Sequence, residues 1–191
     1  MSAAGGTSWM RAEDWPAASP SMLQDMLERA MLGRLVTEIA RERFPECTAG
    51  FLAFPATGGH GTDPDARTAE RLREADVVLA LTTYSLSHTD ARLGATEAGV
   101  RLASMPSFEA YMLEPGGPMA ANYRQIAADC QVFTELLGAA EEVEVHSPHG
   151  TNLRFSIKGR PGNPDDGLYD GTGVDSWGNL PAGETYAVPL E

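Results

Sequence analysis

Few residues in this chain have the type and setting to do chemistry. Glu184 follows a tightly punctuated stretch, Gly178-Asn179-Leu180-Pro181-Ala182-Gly183. Glycine, asparagine and proline at this density predict a rigid turn, and Thr185-Tyr186-Ala187-Val188 then favour a strand. A rigid turn that delivers one carboxylate to a fixed place suits a metal or a substrate amine. A hairpin turn with a solvated glutamate explains the same residues. His88 lies in Ser85-Leu86-Ser87-His88-Thr89, just ahead of a helix expected from Asp90 to Glu97. Ser87 or Thr89 would cap that helix, with Asp90 near its positive end. Capping accounts for the hydroxyls but not for His88, which at a helix N-terminus can serve as acid, base or hydrogen-bond donor. His88 and Asp90 diverge at a helix start, so they make a poor metal pair. His60 stands in a glycine-rich loop from Thr57 to Pro64, where ligand contact and simple solvent exposure are both open. Asp165, Asp166, Asp170 and Asp175 share a long segment from Gly159 to Trp177 but lack the Asp-x-Asp-x-Asp-Gly spacing of a calcium loop.

The elements that would hold these residues read as α/β. A helical stripe of Leu23, Met26, Leu27, Ala30, Met31, Leu35, Val36 and Ile39 predicts a core-facing helix that Pro45 stops. Phe51-Leu52-Ala53-Phe54 reads as a short buried strand, and Asp65 to Glu74 as a helix. Val77 to Leu81 is a continuous apolar run, which suits a parallel strand covered on both faces. The loop after it, Thr82 to Thr89, sits where open parallel sheets bind ligands. Val100 to Met105 predicts a second strand, and Phe108 to Leu113 a helical turn. A long helix follows from Met119 to Leu137, with Tyr123, Ile126, Ala127, Cys130, Phe133 and Leu137 as its core stripe and Gly138 as its stop. From Glu141 the period changes to alternation. Val143 and Val145, then Leu153, Phe155 and Ile157, predict an antiparallel hairpin around Pro148-His149-Gly150. The expected architecture is a lead-in over residues 1–20, an α/β domain over 21–139 with a small, mostly parallel sheet between helices, and the start of a β-rich second domain over 140–191.

The chain has 191 residues, 42% hydrophobic and 21% charged, with a net charge of −13. Its pI is about 4.6 and its mean hydropathy −0.24. That balance argues against nucleic acid, which needs clustered cations. No apolar run reaches the length of a membrane span, and the first residues lack the basic and apolar regions of a secretory signal. Cys47 and Cys130 fit no metal or redox spacing. We expect two separate thiols in the cytoplasm. Serine-hydrolase elbows, Walker loops, dinucleotide fingerprints and His-Glu-x-x-His are absent from the sequence.

Four collinear segments resemble one family. They are Asn179-Leu180-Pro181-Ala182-Gly183-Glu184 with Ala187-Val188-Pro189, Ala75 to Ala80 running into Thr83 to Thr89, Gly99 to Pro106, and Gly150 to Arg160. Together they are similar to the aminopeptidase T family, the thermophilic leucyl aminopeptidases, over the last two-thirds of the chain. The dihydroxypyridine ring-cleaving dioxygenases resemble that same family. The resemblance implies a metal-dependent aminopeptidase acting on peptide N-termini and working as a cytosolic homodimer. Glu184 would be the first metal ligand, and His88 a substrate-binding residue at an interdomain cleft. The divalent ion would be zinc, cobalt or similar. The family's later Glu, His and His-x-Asp ligands find no counterpart, and its opening strand is replaced by Ser, Ala, Gly and Pro, so a truncated or degraded copy is expected. An iron-dependent ring-cleaving dioxygenase, with two histidines and a carboxylate on iron, is the alternative enzymatic reading. A non-catalytic remnant or dimerising domain is the third.

Overall fold

In the computed structural model, residues 20–169 and 176–190 are described. The expected lead-in over residues 1–19, with Trp9 and Trp15, falls outside them, as do Asp170 and Asp175. The fold is α/β. A three-stranded parallel sheet is formed by β1 (Val77–Thr82), β2 (Arg101–Pro106) and β6 (Trp177–Asn179) in the order β1-β2-β6. It is followed by small antiparallel pairs: β3 (Glu142–His146) with β4 (Asn152–Ser156), and β5 (Asn163–Asp165) with β7 (Glu184–Tyr186).

Helices α2 (Ala66–Arg73) and α3 (Asp90–Glu97) cover one face of the parallel sheet. Leu72, Ala91 and Ala95 meet Ala80, Leu86 and Val100 there. On the other face, Ala103, Met105 and Phe108 pack with Leu81, Met112, Tyr169 and Leu180. The central strand β2 is the most deeply buried: Leu102 to Met105 are all buried, with Ala103 and Met105 in the second cluster. Asp65 caps α2 by accepting the Thr68 N–H, and Thr89 caps α3 by accepting the Arg92 N–H.

The 24-residue helix α1 (Pro20–Arg43) forms as expected but presents a different face. Met31 is 70% exposed and Leu27 65%, with Leu35 and Ile39 also exposed. Its inward face mixes polar and small residues (Asp25, Arg29, Gly33 and Thr37) with the half-buried Leu32 and Val36. The Arg29 guanidinium donates to the Phe108 carbonyl at 2.7 Å and pairs with Asp25, whose carboxylate accepts from Thr83 Oγ1 at 2.9 Å. Gly33 makes room for the Phe51 ring, which a side chain at this position would strike. Phe51 to Phe54 is therefore an unpaired extended segment beneath α1 rather than a buried strand. The apolar run of β1 is covered unevenly: Val78 and Ala80 are packed on one face, whereas on the other Leu81 is packed but Val77 and Leu79 stay exposed at the sheet edge.

Helix α4 (Tyr123–Ala139) runs through Gly138, and Ala140 is its C-cap. Cys130 is its one fully buried side chain, and Phe133 is exposed. The helix lies against β5 and β7. Thr185 Oγ1 donates to the Cys130 carbonyl at 3.1 Å, and the Cys130 thiol faces the Glu184 carbonyl. The loop expected from Gly159 onward thus contains a strand, β5. The stretch expected to be all turn begins as strand β6.

Candidate functional site

Three segments converge at the carboxyl ends of β2 and β6. The first is the loop after β1. The Ser85 N–H donates to His60 Nδ1 at 3.1 Å and the Gly61 N–H to the Ser85 carbonyl at 3.0 Å, tying the glycine-rich loop to it. Asp63 accepts the Asp90 and Ala91 N–H groups at 3.2 and 2.7 Å, so this protein's own carboxylate fills the positive end of α3. The second segment is β6. Strand alternation points Trp177 and Asn179 to the same side, toward the α3 loop. The third is β5 and its continuation to Tyr169.

A directional hydrogen-bond relay joins them. Ser104 and Ser85 hydroxyls lie 3.4 Å apart, Ser85 Oγ donates to Ser87 Oγ at 2.8 Å, and Ser87 Oγ donates to Asn179 Oδ1 at 2.9 Å. Asn179 Nδ2 then donates to Asp165 Oδ2 at 3.1 Å. The carboxylate fixes the orientation of the amide, because a flipped Asn179 would set oxygen against oxygen. The Tyr169 hydroxyl faces both Asp165 Oδ1, at 2.9 Å, and the Asn179 carbonyl. Burial first, and the Asp165 charge second, push the Tyr169 phenol well above its ordinary value of 10.0. Tyr169 therefore stays a donor throughout the physiological range. Its ring lies over Gly178, where a Cβ would collide with it.

Beyond Asp165 the relay opens onto a depression of about 320 Å³ lined by Asp165, Asn179, Pro181, Ala182, Gly183 and Glu184. Asp165 and Glu184 are opposite each other in the β5–β7 ladder, which places two carboxylates on one side of it. Glu184 is exposed, and so is His88. The His88 ring meets the Trp177 ring edge to face, 6.0 Å between centroids. The Arg92 guanidinium stacks 4.1 Å over Trp177 and donates through Nε to the Ser87 carbonyl at 2.9 Å. Burial lowers the Arg92 pKa.

His88 and Glu184, the two residues singled out from sequence, are thus joined through Ser87, Asn179 and Asp165. His60 sits on the neighbouring loop and Asp166 beside β5, outside that chain of contacts. Sequence reasoning treated Asn179 as turn punctuation and Asp165 as one of several loop acids, and gave Tyr169 and Trp177 no role. The alternation of Trp177 and Asn179 around Gly178 was the available signal. An iron site of two histidines and one carboxylate does not fit these residues. Asp165 and Glu184 bring oxygen donors only, and among the described residues no three of His, Cys, Asp and Glu gather as a metal-holding group. Among the same residues, no helix is long and apolar enough to cross a membrane.

A sequence model of the 2,5-dihydroxypyridine 5,6-dioxygenases, NicX, matches residues 30–191. Neither the curated proteins nor the solved structures gave a match. The family match overturns the expected aminopeptidase, and with it the metallopeptidase and hydrolase reading and the preference for zinc or cobalt. The ring-cleaving dioxygenases, the alternative enzymatic reading, fit better than the aminopeptidase. Iron, the metal of the alternative reading, is the one this family suggests. With most of its length covered by that match, this chain belongs to the 2,5-dihydroxypyridine 5,6-dioxygenase family.

Proposed function

We propose that the protein binds a dihydroxylated pyridine in the depression beside β6, the class of ring named for the family it belongs to. The family match over residues 30–191 carries this reading. The site is chemically suited to such a ligand. A dihydroxypyridine offers hydroxyl donors to Asp165 and Glu184 and a flat ring to the apolar surface of Pro181 and Ala182. His88 is the proposed substrate-binding residue, able to donate to or accept from a ring hydroxyl. Glu184 is the proposed metal-side carboxylate and supplies one oxygen ligand. A facial set on iron needs two histidines besides. We also propose a cytoplasmic homodimer, supported by the exposed Leu27, Met31, Leu35 and Ile39 stripe of α1.

The test separates binding from turnover. Calorimetric titration of the protein with 2,5-dihydroxypyridine should show saturable binding that His88→Ala weakens. An oxygen electrode should record uptake with that compound and ferrous iron. Release of an N-terminal residue from a leucyl peptide, with no binding of the pyridine, would overturn the proposal.

A further inference from the structure

The relay contains one side chain that has no alternative means of satisfying both its neighbours. Asn179 accepts from Ser87 at 2.9 Å through Oδ1 and donates to Asp165 at 3.1 Å through Nδ2. Ser87 belongs to the loop after β1, next to His88, and is 3% exposed. Asp165 belongs to β5, across from Glu184. These segments are far apart in the chain, and Asn179 is the side chain that bonds both. Its own backbone is fixed in turn: β6 pairs with β2 through Ser104 and Asn179, the Leu180 N–H donates to the Ser104 carbonyl at 3.0 Å, and the Tyr169 hydroxyl reaches the Asn179 carbonyl.

We infer that Asn179 is a positioning residue, which holds the Ser87–His88 segment in register with the Asp165 carboxylate that lines the depression. This rests on the depression being the substrate site proposed above. A carboxamide is required because the two neighbours make opposite demands: a hydroxyl that donates and a carboxylate that accepts. Asn179→Asp keeps the acceptor for Ser87 but turns an attraction into a repulsion at Asp165. Exchanging the two groups, in the double variant N179D/D165N, restores every bond. The carboxylate at 179 accepts from Ser87 and from the new amide, and the amide oxygen at 165 accepts from Tyr169. Packing alone does not predict that rescue.

The experiment compares wild type, N179A, N179D, S87A and the N179D/D165N exchange. The first readout is affinity for 2,5-dihydroxypyridine by titration. N179A and N179D are expected to weaken it about tenfold or more and S87A less, while the exchange, which also replaces the Asp165 carboxylate at the depression, is judged by the second readout. The second readout needs no ligand: the NMR shifts of the Ser87 amide and the Trp177 indole, displaced in N179D and restored in the exchange. If N179A does not fold, N179D and the exchange decide. Wild-type affinity in N179A, or shifts in the exchange no nearer wild type than those of N179D, would overturn the inference. If wild type does not bind the pyridine, the functional reading fails instead, and the shifts alone judge Asn179: restoration supports its positioning role, and no restoration overturns it.

Discussion

The relay around β6 and the β3–β4 hairpin are built from similar ingredients and behave differently. Both carry serines, carboxylates and aromatic or aliphatic residues in alternation. In the hairpin, Arg154 pairs with Glu142 and Glu144 across the ladder, with all three side chains more than half exposed. Val145 and Leu153 also face each other with much of their surface in water. Around β6, Leu102 and Ser104 are 0% exposed and Leu86 1%, and the Ser85, Ser87, Asn179 and Asp165 side chains are satisfied by one another rather than by solvent. Charge is the more abundant in the hairpin, yet it is the buried, directionally paired hydroxyls and amide that give the β6 region a defined geometry. A site depends on which polar groups have been removed from water with their partners, not on how many there are.

Core truncation should separate the regions most sharply. Leu102→Ala is expected to cost about 2–5 kcal/mol, since a fully enclosed leucine leaves a cavity. Leu153→Ala, half exposed already, should cost under about 1 kcal/mol. Urea unfolding of the two variants measures the contrast, and equal losses would abolish it. Next in size, Gly178→Ala forces a methyl into the Tyr169 ring and should cost about 1–3 kcal/mol by the same assay. Asp63→Ala removes the carboxylate that holds two N–H groups of α3. A loss of about 1 kcal/mol is expected, together with faster hydrogen exchange at Asp90 and Ala91.

The acid limb supplies a fourth test. The hydrogen bond from Arg29, then that from Thr83, holds the Asp25 carboxyl below its ordinary 3.8 against the opposing effect of burial. A carboxyl depressed on folding contributes stability above its unfolded value, and that contribution disappears as pH falls through the folded one. The attachment of α1 at Thr83 should therefore hold at neutral pH and fail only below about pH 4, and Asp25→Asn should flatten that limb of the stability profile. Smallest of all, Arg154→Ala should leave the unfolding midpoint unchanged, because the pair is solvated on every side.

What could be read from sequence follows the range of the contacts involved. The runs that became β1 and β2, the Thr89 cap as one of two candidates, and the β3–β4 hairpin depend on neighbours a few residues away, and all were legible. Strands β5 and β6 were not. Three residues of extended chain leave no periodic trace, and their partners are remote in sequence. α1 misled for another reason: Leu27, Met31, Leu35 and Ile39 of its stripe face outward while Ala30 and Val36 are half-buried, and the inward side is chosen by Gly33 and by the Arg29 contact with Phe108. In the site, His88 and Glu184 stood out because histidines and turn-borne carboxylates are conspicuous. Asn179 did not, because an asparagine beside glycine reads as a turn until the third strand is seen. The choice of aminopeptidase over dioxygenase failed.

The placement of Trp177–Asn179 has a consequence for how the molecule is made. As the chain emerges from the ribosome, β1 and β2 are available early, but the other neighbour of β2 is synthesised only after residues 107–176 have followed. Until then Leu102 and Ser104 lack one side of their enclosure, and the loop bearing His88 lacks its bond from Ser87 to Asn179. The slow step in refolding should accordingly be the docking of this late strand, so the same few residues that organise the ligand face would also time its appearance.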